Sequence, residues 1–222
     1  MNFLQLCQRL RQEVGAAGDS TLPASVNGQL GEYARLVAWI RQAWIDIQSE
    51  HDSWGFMSVT EHTITANQDI NSVWSFTLPS DLERLDNNSV SIAAPDGTHI
   101  GFLKFVDWDD FRRMYRGRVE QGRPQVFTIT PDKQLKTFPV VDNSYRLTFD
   151  YQKAPQALEN NTDVPSIPEA YHMLIVYRAM LYYAGYEMAV EVKDRAITES
   201  EPLMSKLERR YLPTPNIGSA LA

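Results

Sequence analysis

Cysteine is nearly absent: Cys7 is the single one in 222 residues. One thiol cannot build an internal disulfide framework, and it fits a reducing compartment. Set within "FLQLCQRL", it reads as a small apolar side chain on a helix face rather than as a nucleophile. Long apolar runs are missing too, since no stretch reaches the ~20 residues that cross a bilayer. Positive charge is in deficit, with 21 Lys and Arg against 28 Asp and Glu and a net charge of −7. That balance argues against a general nucleic-acid binder, because gripping phosphate rests on an excess of cations. It does not exclude a protein whose inner wall merely lets DNA pass. Arg9 and Arg11 follow a short apolar start, which is not the order of charges of a signal peptide. Histidine is scarce as well: His51, His62, His99 and His172 are scattered, with no HExxH pair, and neither GxxxxGK[ST] nor GxSxG is present.

What is present is ordinary for a globular chain, 43% hydrophobic and 22% charged, and long enough for one large domain or a domain carrying an inserted second one. Residues 2 to 14 place Phe3, Leu6, Leu10 and Val14 at steps of three and four, which predicts a short helix. A loop rich in Gly, Ser and Pro follows, "GAAGDSTLPASVNG". Then Leu30, Tyr33, Val37, Ile40, Trp44 and Ile47 mark one face of a second helix. Leu36, Trp39 and Ala43 widen that face, so the helix is expected to pack against two partners.

From about residue 55 to 155 the period falls to two. In "YRLTFDY", Tyr145, Leu147, Phe149 and Tyr151 point one way and Arg146, Thr148 and Asp150 the other, as in a half-buried strand. Turns at "PDG", "PDK" and "DNS" separate the runs "VSIA", "HIGFLKF", "QVFTIT", "LKTFPV" and "YRLTF", and predict an antiparallel meander. One short helix, "WDDFRRMYRG", interrupts it, with Asp107 to cap it and Gly117 to end it. Helical pattern returns after Pro168 and runs to about residue 211, where Pro202 is expected to kink it or start a new helix. The fold class is α+β: a helical bundle built from N- and C-terminal helices with an inserted antiparallel β-rich region. The boundaries are 1–54 for the first helices, 55–155 for the insertion and 156–222 for the last helices and an extended tail.

Chemistry-bearing residues are few. His172 lies in "EAYHMLIVYRAMLYYAGYEMA" with Glu169 as the one acidic neighbour on its own helix, which favours a structural role over catalysis. Arg178, in the same run beside Tyr177, Tyr182 and Tyr183, can cover rings with its stem while its head reaches a carboxylate. Asp107, Asp109 and Asp110 form an acidic cluster that a two-metal hydrolase could use, but helix capping and the helix dipole explain them. Arg112, Arg113, Arg116, Arg118 and Arg123, with Tyr115 among them, make a local basic patch for a partner or for passing DNA. The two aromatic helices carry more large apolar side chains than a thin bundle buries, so Arg178, Tyr182, Trp39 and Trp44 are candidates for subunit contacts. In the tail "LPTPNIGSALA", Pro213 and Pro215 favour an extended path, and Ile217 and Leu221 supply apolar anchors for docking.

Four segments, "MNFLQLCQRLRQEVG", "YARLVAWIRQAWIDIQ", "QGRPQVFTI" and "IPEAYHMLIVYRAMLYYAGYE", resemble in order, from residue 1 to about 212, the head-to-tail adaptor proteins of tailed bacteriophages. The resemblance implies a helical bundle with a β-rich insertion, assembled as a dodecameric ring beneath the portal at the virion neck. Such a ring joins capsid vertex to tail or nozzle proteins, lets DNA pass, and is built in the host cytoplasm. It implies no catalytic residues, metal or cofactor. Another neck or tail-tube component of the same particle, and a small metal-dependent hydrolase using Asp107 to Asp110, are the alternative readings.

Overall fold

The two periodicities of the sequence become two units in the computed structural model, which describes residues 1–15, 22–68 and 74–213. Met1–Met57 and Pro155–Ala222 form unit 1, and Ser58–Ala154 form unit 2. Unit 1 opens with α1 (Phe3–Val14), started by a reciprocal cap. Asn2 Oδ1 accepts from the Gln5 N–H at 2.9 Å, and Gln5 Oε1 accepts from the Asn2 N–H at 2.9 Å. Gly15 ends the helix at φ 60°, a left-handed position that costs glycine little. Phe3, Leu6, Cys7, Leu10 and Val14 are buried, as the spacing requires. The next helix, α2 (Gly31–Ser49), buries Leu36, Val37, Ile40, Ala43, Trp44 and Ile47. Both expected stripes are used except at Leu30, which precedes the helix and is exposed.

Unit 2 holds β1 (Ser58–Thr65), β2 (Asn67–Gln68), β3 (Trp74–Ser75), β4 (Leu82–Leu85), β5 (Ser91–Ala93), β6 (His99–Phe102) and β7 (Lys104–Phe105). They are followed by α3 (Trp108–Tyr115), β8 (Val126–Ile129), β9 (Leu135–Phe138) and β10 (Arg146–Lys153). The strands do not form a meander. The main sheet runs β1-β10-β5-β6, with β4 also paired to β10. A second sheet runs β7-β8-β9, and its β7·β8 pair is parallel. The cause is β10: its eight residues bury Leu147, Phe149 and Tyr151 on one face, and its length lets β5 and β4 share the edge opposite β1. "HIGFLKF" is likewise divided at Leu103, so β6 and β7 join different sheets. The short helix forms as expected, with Asp107 Oδ1 accepting from the Asp109 N–H at 3.0 Å and Gly117 just beyond its end at φ 79°.

The chain returns to unit 1 through 155–168, fastened by side chains. Gln48 accepts from the Gln156 N–H at 2.7 Å and donates to its carbonyl at 3.1 Å, while Arg41 Nε donates to the Leu158 carbonyl at 2.8 Å. Then come α4 (His172–Glu187) and α5 (Val190–Tyr211). The first of these packs against α1, α2 and α5, and buries Leu174, Ile175, Val176, Ala179 and Met180 completely.

No new helix starts at Pro202. Pro202 sits exposed inside α5, and Ala196, Met204 and Leu207 are buried on either side of it, so packing carries the helix past the missing N–H. The chain turns instead at Met188, a left-handed residue at φ 52° whose N–H, like that of Ala189, bonds the Ala184 carbonyl. A side chain in that conformation is strained by about 1 to 2 kcal/mol. Met188→Gly is therefore expected to raise unfolding stability by about 0.5 to 1 kcal/mol after glycine's unfolded-state entropy is counted, readable as a higher midpoint in thermal unfolding.

Candidate interaction surfaces

His172 belongs to the core. It is 2% exposed, its Nε2 stands 3.0 Å from the Ile167 carbonyl and its Nδ1 2.6 Å from the Met1 amino nitrogen. These partners fix the neutral ring with its proton on Nε2. Burial, first, and the nearby amino group lower the imidazole pKa, against smaller opposing effects from the Ile167 carbonyl and Glu169. Cys7 is inert by the same physics, its thiol pushed up to about 12 by burial.

Arg178 ends on Glu50 across the α2–α4 seam. Three further contacts extend that seam as a ladder. Tyr182 donates to Asp46, which pushes its phenol up to about 12; Trp39 meets Tyr183 edge-on at 5.9 Å; and the Arg35 guanidinium lies 4.4 Å from the Tyr186 ring centre. Positions 35, 39, 46 and 50 share one face of α2 by steps of four, seven and four, and 178, 182, 183 and 186 face them from α4. The ladder leads to exposed apolar residues: Tyr186 is 55%, Met188 87% and Val190 67% accessible. Beneath Tyr186, the Arg35 Nε is buried without a hydrogen-bond partner among the described residues. Trp44 does not belong to this surface. It lies on the opposite stripe of α2, wholly buried and stacked on Phe56, and offers nothing to a neighbour.

In unit 2, Arg112 and Arg113 are neutralised within α3 by Asp109 at 3.2 Å and Asp110 at 2.7 Å. The acidic cluster is thus a cap plus two helix pairs, and among the described residues no three His, Cys, Asp or Glu side chains converge on a possible metal site. Arg116 and Arg118 are exposed, with no salt bridge among the described residues. Pro213 is exposed at the end of α5; Pro215, Ile217 and Leu221 lie outside the described residues.

A cleft of about 750 Å³ opens in the same unit. The continuous segments 74–80 and 133–138 supply most of its lining, and Phe111, Tyr115 and Val141 also line it. Tyr115 stacks on Phe138 at 4.1 Å. Its cations are Arg118, Lys133 and Lys136, and no acidic residue lines it among the described residues. None of this surface was singled out in the sequence apart from Arg118 and Tyr115. The missed aromatic signal was Trp74 and Phe76, alternate residues beside a proline-bearing extended stretch.

A helical unit whose polar residues serve caps and seams, beside an inserted β-rich unit and an aromatic ridge, describes a structural component that works through its surfaces. The chain belongs to the SU10 adaptor protein family, whose model matches residues 1–211. This is a family of bacteriophage head-to-tail adaptors, structural in role and not a known enzyme family, as the sequence resemblance implied. No curated protein matches the chain.

Two outcomes follow from the bonded geometry. Because the folded His172 pKa is depressed, neither state binds its proton above the ordinary value near 6.5, and the stabilisation is complete there. As pH falls below 6.5 the unfolded chain protonates first and stability is lost. Thermal unfolding of the wild type from pH 7.5 to 5 should show that decline, and His172→Gln should flatten it. For Arg178, a buried carboxylate would make loss of the cation severe, but Glu50 is 37% and Arg178 29% accessible. Arg178→Leu should therefore cost about 1 kcal/mol or less in unfolding stability, and Arg178→Lys less still, as denaturant titration would read.

Proposed function

We propose that this adaptor assembles as a ring beneath its portal protein, with twelve copies, at the neck of the virion, and that DNA passes through the ring. The observation that supports this reading is the exposed end of the α2–α4 ladder, where Tyr186, Met188 and Val190 present apolar surface beside the buried, unpartnered Arg35 Nε. Singly exposed apolar residues are ordinary, but a contiguous group beside a desolvated guanidinium edge suits a subunit contact. Arg178, Tyr182 and Trp39 would hold this contact's shape from within the subunit, through their partners across the seam. Arg116, Arg118 and the likewise exposed Arg123 are the cations of that patch left for passing phosphate or for a protein neighbour. The net charge of −7 keeps a DNA contact weak, as a conduit requires. In the same reading, residues 213–222 dock by Ile217 and Leu221 on the portal or an adjacent adaptor, while tail or nozzle proteins take the opposite end of the ring. Assembly would take place in the host cytoplasm.

A ring that waits for its portal avoids premature closure. Sedimentation should show a monomer at low micromolar concentration alone and a twelve-copy ring after portal protein is added, with particle images confirming the count. Tyr186→Ser together with Met188→Ser should abolish the ring while the monomer stays folded, its stability lowered by about 0.5 to 1 kcal/mol through loss of the Arg35 contact, and deletion of residues 213–222 should weaken portal binding with the monomer's melting unchanged. A stable ring without portal, or full ring formation by the double variant, would contradict the proposal.

A further inference from the structure

The cleft in unit 2 has the form of a vacancy for one strand. In a strand, successive side chains point to opposite faces, so a hollow lying on a sheet face touches alternate residues. Here all four residues of β9 line it, with Lys133 and Gln134 of the turn before them, and so do all seven of 74–80, which begin with the two residues of β3. Continuous lining on both sides means that the hollow runs along the backbone of each wall, as a slot along a strand's edge.

The hydrogen-bond register shows that one of those edges is open. The Thr130 N–H donates to the Gln134 carbonyl at 2.9 Å, so the alternation of an antiparallel ladder places Gln134, Lys136 and Phe138 in contact with β8. Phe138 agrees, its carbonyl accepting from the Gln125 N–H at 3.0 Å. Leu135 and Thr137 therefore aim their N–H and C=O groups away from β8. No strand pairs with β9 on that side among the described residues, since the sheet order is β7-β8-β9. An open edge of this kind is a template for pairing.

We propose that this slot receives an extended segment of a partner protein, added as a strand beside β9. The partner's chemistry follows from the walls. Phe76, Leu82, Phe111 and Phe138 take apolar side chains at every second position. Arg118, and Lys136 whose ammonium lies 5.5 Å from the Trp108 ring centre, take a carboxylate on the partner's flank, in a lining without any acid among the described residues. Lys133 is occupied by Glu83 at 2.9 Å. The four residues of β9 correspond to about 13 Å of strand, so the bound segment is short, and main-chain bonding supplies affinity while side chains supply selection. The proposal rests on unit 2 alone and is independent of how the helical ridge is used.

The test is selection from a random twelve-residue peptide library on the immobilised full chain, followed by binding and hydrogen-exchange measurements with the enriched peptides. Expected are sequences alternating apolar and polar residues with Asp or Glu at one end, at micromolar affinity, with new protection of the Leu135 and Thr137 amides. Thr137→Pro removes an outward N–H at an edge position where proline is tolerated, and should reduce affinity tenfold or more with the melting midpoint nearly unchanged. Arg118→Glu should reverse the preference for acidic ends. No enrichment, enriched peptides of helical period, protection elsewhere, or undiminished binding by a folded Thr137→Pro variant would each overturn it.

Discussion

Everything in unit 1 depends on one helix having no polar face. Along α4 the apolar residues leave no stripe that could be given wholly to water, so the helix is stable only when α1, α2 and α5 cover it from several sides. That requirement explains why the strap 155–168 is fastened so closely to α2, and why His172 could enter the core only as a neutral ring with both nitrogens occupied. It also explains the seam. Where the cover thins, Arg178 and Tyr182 finish the helix with polar tips on Glu50 and Asp46 while their stems and rings remain against apolar neighbours. Across the α1–α5 contact, Glu13 is held at 8% side-chain exposure between Arg9 and Arg195.

Much of this was legible in the chain. The steps of three and four in "FLQLCQRL" and "YARLVAWIRQAWIDI" gave the helices and their buried faces, and the alternation in "YRLTFDY" gave the inner face of β10. The α+β class and the adaptor family were legible too. What was not legible was partnership at long range. Period two identifies a strand but says nothing about its neighbour, so the meander was the economical expectation and the central place of β10 went unseen. Pro202 misled for a related reason: its local penalty is written in the sequence, while the packing that offsets it comes from other elements.

The candidate surfaces divide in the same way. Trp39 and Trp44 are equivalent by residue type, yet five positions on a helix turn them to different sides: one meets Tyr183 in the seam and the other vanishes into the core. The basic patch looked like a row of free cations until i,i+3 pairing removed Arg112 and Arg113 from it. The edge of β9 had no signature at all, because an open edge is defined by the strand that is missing beside it.

The insertion of unit 2 between α2 and α4 has a consequence for synthesis. α1 and α2 leave the ribosome well before the helix that covers them, since Ser58–Ala154 must be made in between. At cellular elongation rates that interval lasts about 5 to 20 s, far longer than local helix formation takes. Throughout it Phe3, Leu6, Ile40 and Trp44 have no α4 to face, so the nascent α1–α2 segment presents apolar surface that a ribosome-associated chaperone would cover.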